Sequence, residues 1–363
     1  MTKKIYQLPV EKTGWQTADK SGTATFTWEY DDVRDKLINL YDKGKRKQWD
    51  AATRIDWSHS PDPENPLQVP DEIVPIFGSP VWDKLTPKER GRVRRHLVGW
   101  NFSQFLHGEQ GALICTAKIV QNVPDIDSKF YAATQVMDEA RHVETYNRYL
   151  DKIETAYPIN YNLKSLLDDV LSDSRWDMTY LGMQVLIEGL ALAAFGLIRN
   201  TAGDPLGKAV NAYVMQDEAR HVMFGRLALR DYYPQLTEAE RAEREEFCAD
   251  ACYRMRDRFL GEEVWETLGY DPEDCIEFVA SSESQRLFRG LLFARIVPTL
   301  KDVGLWGDKM RQTFADMGVI GYESIDLDEV MADDERIAEE IDALRRADLD
   351  AAVAEGVADG EDS

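Results

Sequence analysis

Between Thr86 and Tyr232 the chain alternates long apolar-rich stretches with short breaks made of Pro, Gly and Asp. Thr86-Pro87-Lys88-Glu89 carries a helix start: a Thr cap, Pro in the first turn and Glu three residues after the cap. The helix it opens is predicted to run to about Gln121, where Val123-Pro124-Asp125 stops it. A second is expected from Ile126 to about Ala156, before Pro158, followed by a short helix. Two more long helices, about Arg175–Arg199 and Pro205–Tyr232, are split by Gly203-Asp204-Pro205, and Thr237 with Glu240 caps a further one. The first 80 residues hold one expected helix (about Asp31–Ala52) and a stretch with Pro61, Pro63, Pro66 and Pro70. No run of strands, Gly-rich phosphate loop or nucleotide-binding unit interrupts this pattern. The predicted class is all-α, helix upon helix with four long members at the centre. Residues 1–80 are expected as an arm packed on the body, 81–325 as the helical domain and 326–363 as an acidic C-terminal tail.

Tyr180–Ile198 tests that reading, because only Gln184 and Glu188 are strongly polar and its length approaches a membrane span. A carboxylate in mid-span is costly unless something pairs with it. A helix buried on all sides of a soluble bundle fits as well and gives Glu188 a place to find partners.

The partners are supplied by an internal repeat. Asp138-Glu139-Ala140-Arg141-His142-Val143 recurs as Asp217-Glu218-Ala219-Arg220-His221-Val222. Glu and His three apart share one helix face, so both can reach one metal. Each copy follows a lone glutamate by 30 residues, Glu109 before Glu139 and Glu188 before Glu218. That distance suits a helix, a turn and an antiparallel return to the same height. Four helices thus present Glu109, Glu139, Glu188 and Glu218 at one level, and two of them add His142 and His221. A lone Glu-x-x-His is usually a surface pair; a repeated hexamer with matched upstream glutamates in apolar helices is a two-metal site.

Charge strengthens this reading. Four glutamates carry −4 and two divalent ions +4, whereas without metal the carboxylates repel one another. Oxygen-rich ligation with one imidazole per metal suits iron, with manganese or a mixed Fe/Mn pair also compatible. The net charge of −23 disfavours nucleic acid and anionic membranes as partners. About half of it lies in Asp326–Asp362, with 15 acidic and 3 basic residues. Cys115, Cys248, Cys252 and Cys275 fit no metal or redox spacing and read as reduced thiols. With no apolar export signal after Met1, a cytoplasmic location is expected.

At these residues the sequence resembles the ferritin-like di-iron carboxylate superfamily, over about Thr86 to Tyr232. The resemblance implies a ferritin-like four-helix bundle with additional N- and C-terminal helices. It implies Glu139 and Glu218 as bridging ligands and Glu109 and Glu188 as more terminal ones. Asp138 and Asp217 would each hydrogen-bond a ligand histidine, and Arg141 and Arg220 would pair with carboxylates away from the metals. Gly108-Glu109 with the first hexamer looks like the hydroxylase subunits of bacterial multicomponent monooxygenases, and the equal spacing is similar to di-iron epoxidases of aromatic acyl-CoA thioesters. This chain is shorter than the former and has Leu192 where they carry threonine. Di-iron arylamine N-oxygenases add a third histidine one turn before the last Glu-x-x-His, where Val214 stands here. No substrate carries over from these groups.

The rival resemblance is to the radical-generating small subunit of ribonucleotide reductase. Tyr146, four residues after His142, stands where that family keeps its radical tyrosine, although an ordinary packed tyrosine explains it as well. Against it, the first ligand there is usually aspartate, and no tyrosine follows Tyr322. Ferritin- or rubrerythrin-like iron or peroxide handling is a third reading, in proteins usually much smaller. The oxygenase is the expectation: O2 as co-substrate, hydroxylation, N-oxygenation or desaturation of a small or carrier-linked organic molecule, electrons from a reductase or ferredoxin, and a homodimer. Gly189, Ala191, Ala193, Ala194, Gly196 and Ala112 either leave a substrate cavity or only permit close helix packing.

Overall fold

The computed structural model describes residues 24–30, 34–337, 339–340 and 343; the chain start and most of the acidic tail beyond 340 lie outside the described residues. Among those described there is no strand. The first helix, α1 (Asp35–Arg46), precedes the long α2 (Pro87–Asn122). The Thr86 hydroxyl accepts from the Glu89 N–H while the Glu89 carboxylate accepts from the Thr86 N–H at 2.8 Å, which satisfies two exposed donors of the first turn of α2. After Val123-Pro124, Asp125 caps α3 (Ile126–Ile153), which ends at Glu154 in the left-handed region (φ 51°), three residues short of the predicted Ala156. Helices α4 (Tyr161–Ser172), α5 (Trp176–Thr201), α6 (Pro205–Tyr232) and α7 (Glu238–Asp257) follow, the last opened by a Thr237–Glu240 box.

α2 packs on α3 and α5 on α6, and the two pairs meet along both α3–α6 and α2–α5. This is a ferritin-like four-helix bundle with extra helices at both ends. Phe102, Phe105, Tyr146, Tyr149 and Phe195 form one contiguous aromatic group within it, with Phe102 and Tyr149 stacked at 4.3 Å. Burying each such ring stabilises by about 1.5–3 kcal/mol. Of α5, 72% of the most apolar window is buried inside the protein, so the span-like segment is the core helix of the bundle.

Two features depart from the predicted elements, the end of the first helix and the winding of α5. The expected Asp31–Ala52 helix stops at Arg46; Asp50 then caps a separate turn, Ala51–Arg54, by accepting from the Ala52 N–H at 2.7 Å. The break turns Gln48 and Trp49 inward against α3 and α6. Within α5, Leu181–Ile187 winds as a π-helix that ends where Glu188 resumes α geometry. In the acidic tail, 327–337 is helical and seated on the body. Arg226 holds Asp328 at 2.6 Å, Arg295 holds Asp334 at 2.5 Å, and Lys43 holds Glu335 at 2.7 Å. The four cysteines are free and buried.

Candidate metal centre

α2 contributes Glu109, α3 contributes Glu139 and His142, α5 contributes Glu188, and α6 contributes Glu218 and His221; all six are buried. They converge. His142 Nδ1 lies 3.2 Å from Glu109 Oε2, 3.4 Å from Glu139 Oε2 and 3.0 Å from Glu218 Oε1. His221 Nδ1 lies 3.1 Å from Glu139 Oε1 and 3.4 Å from Glu218 Oε1. Glu109, Glu139, His142 and Glu218 each bring one ligand-type atom within 4.8 Å of the others, and so do Glu139, Glu188 and His221. Glu139 belongs to both groups, with one oxygen facing each histidine.

Two cations fit what these residues lack. Glu139 Oε2, Glu188 Oε2, both Glu218 oxygens and His221 Nδ1 are buried without a hydrogen-bond partner. So many orphaned acceptors in one place are costly unless a cation satisfies them. Burial and the neighbouring Glu218 push the Glu109 carboxyl well up, and the same causes, with Glu139, push Glu188 up. Burial raises Glu139 too, but the His221 and His142 imidazoles outweigh it and hold it low. Burial opposes charge on His142, yet Glu109 and Asp217 beside it raise its pKa well above 6.5; Glu139 and Glu218 do the same for His221. These carboxyls and imidazoles shift one another because they lie close together away from water.

Around the cluster the aspartates cross over. His142 Nε2 faces Asp217 Oδ2 at 3.1 Å, and His221 Nε2 faces Asp138 Oδ2 at 3.3 Å, so each repeat orients the histidine of the other. The Nε2 proton is thereby fixed outward and the Nδ1 lone pair inward. Arg141 bridges Asp138 (2.5 Å) and Asp217 (2.8 Å), and Arg220 pairs with Asp217. Gln48 donates to Asp138 Oδ1 at 2.8 Å, and the Trp49 indole donates to Asp217 Oδ2 at 2.8 Å. Neither residue is marked in the sequence, which separates them from their partners by 90 and 168 positions. Gln135, also unforeseen, donates to Glu139 Oε1 (2.9 Å) and Glu188 Oε1 (3.1 Å); its place one turn before Glu139 was the available signal.

Tyr146 is fully buried among Phe102, Phe105 and Phe195, and its hydroxyl donates to Asn211 Oδ1 at 3.3 Å. Burial, with Glu109 and Glu218 nearby, pushes its pKa well up, so it stays protonated. The three other histidines face elsewhere: His59 to Asp204, His96 to the Tyr157 hydroxyl and His107 to the Tyr157 carbonyl. A cleft lined by Phe105, Ala112, Ile187 and Phe195 is also lined by Glu109, Glu188 and Glu218. Of the small residues, Ala112 and Ala191 line it, whereas Gly189 abuts Ile296 and Gly196 abuts Met215, so those two serve packing.

No curated protein sequence matches the chain. Among solved structures, a protein with aldehyde deformylating oxidase activity from Synechococcus aligns at 15% identity and TM-score 0.46, over 62% of this chain and 97% of that one. An R2-like ligand-binding oxidase from Sulfolobus acidocaldarius aligns at 18% identity and TM-score 0.44, over 77% and 93%. The family model described as p-aminobenzoate N-oxygenase AurF matches residues 30–304, from the arm through all six clustered residues. The chain therefore belongs to the AurF family and is a non-haem di-iron oxidoreductase.

Proposed function

We propose that Glu109, Glu139, His142, Glu188, Glu218 and His221 bind two iron ions, and that the centre transfers oxygen from O2 to a small organic molecule held in the adjoining cleft. The observation that carries this reading is that three of the clustered carboxylates line one cleft together with a majority of apolar side chains. A molecule in the cleft meets the metal positions directly, away from bulk water. When bound, the iron pair supplies O2 activation. The protein's share is position and charge. Glu109, Glu139, Glu188 and Glu218 would hold the two ions with the two imidazoles, and the crossed aspartates hold those imidazoles in one tautomer. Gln135 restrains the Glu139 and Glu188 carboxylates through one amide.

N-oxygenation of an aromatic amine is the first reaction to test, because the family model bears that name. Val214 is fully buried one turn before Glu218, so that place offers no third imidazole. Hydroxylation and desaturation stay within the screen for this reason. Electrons come from a reductase or ferredoxin, and the working unit is a cytoplasmic homodimer.

The deciding experiment loads the full chain with Fe(II) anaerobically, adds O2 and follows optical and electron-spin-resonance spectra. A transient visible band that decays faster with an aromatic amine, giving an oxygenated product, supports the oxygenase. A lasting tyrosyl signal that Tyr146→Phe removes would overturn it in favour of a radical generator.

A further inference from the structure

In a chain of net charge −23, the end of α1 runs against the trend: Lys43, Lys45, Arg46 and Lys47 follow one another with no acid between them. The described part of the acidic tail lies on this face, along α1 and α6. Lys43 holds Glu335 at 2.7 Å, Lys47 holds Glu339 at 3.1 Å, and Arg226 of α6 holds Asp328 at 2.6 Å. The three acids are 47%, 57% and 78% exposed, so each pair is weak and yields to salt. The seat is also loosely packed. A cleft of about 100 Å3 remains under the tail, with Leu40, Met223 and Arg220 on the body side and Met331 on the tail side. A helix that belonged to the core would fill such a space.

What the tail covers is the back of the metal centre. Arg220 lines this cleft and pairs with Asp217, whose Oδ2 lies 3.1 Å from His142 Nε2. Two side chains therefore separate this surface from a clustered imidazole. The cleft beside Glu109 shares no lining residue with it. We infer that the face of α1 and α6 under the tail docks an acidic one-electron carrier protein of the iron–sulfur class, and that the tail occupies this face as an internal competitor. The inference rests on the oxygenase reading, which requires an electron donor. Like charge keeps an acidic protein off most of this chain, whereas Lys43, Lys45, Arg46 and Lys47 offer it a complementary patch. Lifting the tail releases Lys43 and Lys47 from their acids, and carboxylates of the carrier take the same places. Each docking delivers one electron; two convert two Fe(III) to two Fe(II) while two carriers are oxidised. Electron transfer weakens steeply with distance, which favours a face so few side chains from the imidazole.

The test measures, by fluorescence anisotropy at low ionic strength, binding of a labelled plant-type [2Fe–2S] ferredoxin, an acidic carrier, to the full chain. Asp328→Asn with Glu335→Gln and Glu339→Gln loosens the tail at exposed positions and should tighten binding about tenfold, because a larger fraction of the chain is open. The same charge change at Glu238, Glu262 and Glu273, exposed on other helices, should alter binding by less than about threefold. Lys43→Glu with Lys47→Glu also repels the tail, yet should bind about tenfold more weakly than the parent. In the parent, saturating ferredoxin should speed hydrogen exchange of the 327–337 amides about tenfold or more. No gain in the tail variant, tight binding by the K43E/K47E chain, or exchange that ferredoxin leaves unchanged would each overturn the inference. Binding of a basic cytochrome c in place of ferredoxin would overturn it too, and would assign the tail itself as the docking surface. The binding arms are run on the iron-loaded and the metal-free chain. Failure to hold two irons counts against the metal centre alone, and the metal-free chain then decides the docking.

Discussion

His142 Nε2 and Asp217 Oδ2 lie 3.1 Å apart, and they belong to different copies of the repeated hexamer. With the reciprocal pair His221–Asp138 at 3.3 Å, the two copies lock each other. Sliding α3 past α6 by one turn would break both contacts, so the pair fixes helix register as well as imidazole orientation.

Asp217→Ala removes the acceptor of His142 and Trp49 and a counter-charge of Arg141 and Arg220 together. Breaking a buried ion pair from one side costs about 3–5 kcal/mol, and losing such an orienting group costs about 10–100-fold in metal affinity. Urea unfolding and a competitive chelator titration should show both losses. A variant with unchanged metal affinity would show that Asp217 serves only the arginines.

Glu139→Ala should abolish paired-metal binding, because Glu139 is the carboxylate with one oxygen toward each histidine. Glu109→Ala removes a residue from the His142 side alone, so about one metal per chain should persist. Metal analysis of purified, reloaded protein distinguishes the two. A Glu139→Ala chain with two metals and full O2 consumption would sink the assignment.

The centre was legible because helix periodicity converts sequence spacing into position: equal 30-residue steps put four glutamates at one height, and Glu-x-x-His put each imidazole beside its carboxylate. The crossing of Asp138 and Asp217 was not, since the repeat is symmetric and within-copy and between-copy pairing look the same in it. Gln48 and Trp49 were hidden in a segment read as continuous helix, and only the tertiary contacts explain its break at Arg46. The π-helical turn before Glu188 leaves no periodicity signal in a helix that is apolar all round.

Gly225 marks where α6 presses on that π-helical turn. A Cβ added there would sit 2.5 Å from Gln184 Cβ, an atom fixed to the backbone that cannot swing aside. Gly225→Ala should therefore cost about 1–3 kcal/mol by overpacking. Because Gln184 lies one turn before Glu188, the shift should also weaken metal binding. Thermal melts with and without Mn(II) check both; an alanine variant as stable as the parent would mean that α6 yields without strain.

Removing the metals should invert the usual pH behaviour of the protein. In the metal-free chain Glu109 and Glu188 have pKa values raised above 4.5, and His142 and His221 above 6.5. Each raised group holds its proton more tightly folded than unfolded, so its contribution is complete below the unfolded pKa and is lost as pH rises through the folded one. All four act in the same direction above pH 5. Glu139 and Asp217, held low, contribute oppositely, but their stability is lost only as pH falls through values below that window. The melting temperature in EDTA should therefore fall from pH 5 to pH 8. Metal binding requires deprotonated carboxylates and neutral imidazoles, so the gain on adding Mn(II) should widen over the same range. Glu109→Gln with Glu188→Gln should flatten the EDTA slope, which separates these carboxyls from the general repulsion of a chain of charge −23. A metal-free parent that grows more stable toward pH 8 would mean that the four glutamates are relieved by something other than protons or metal.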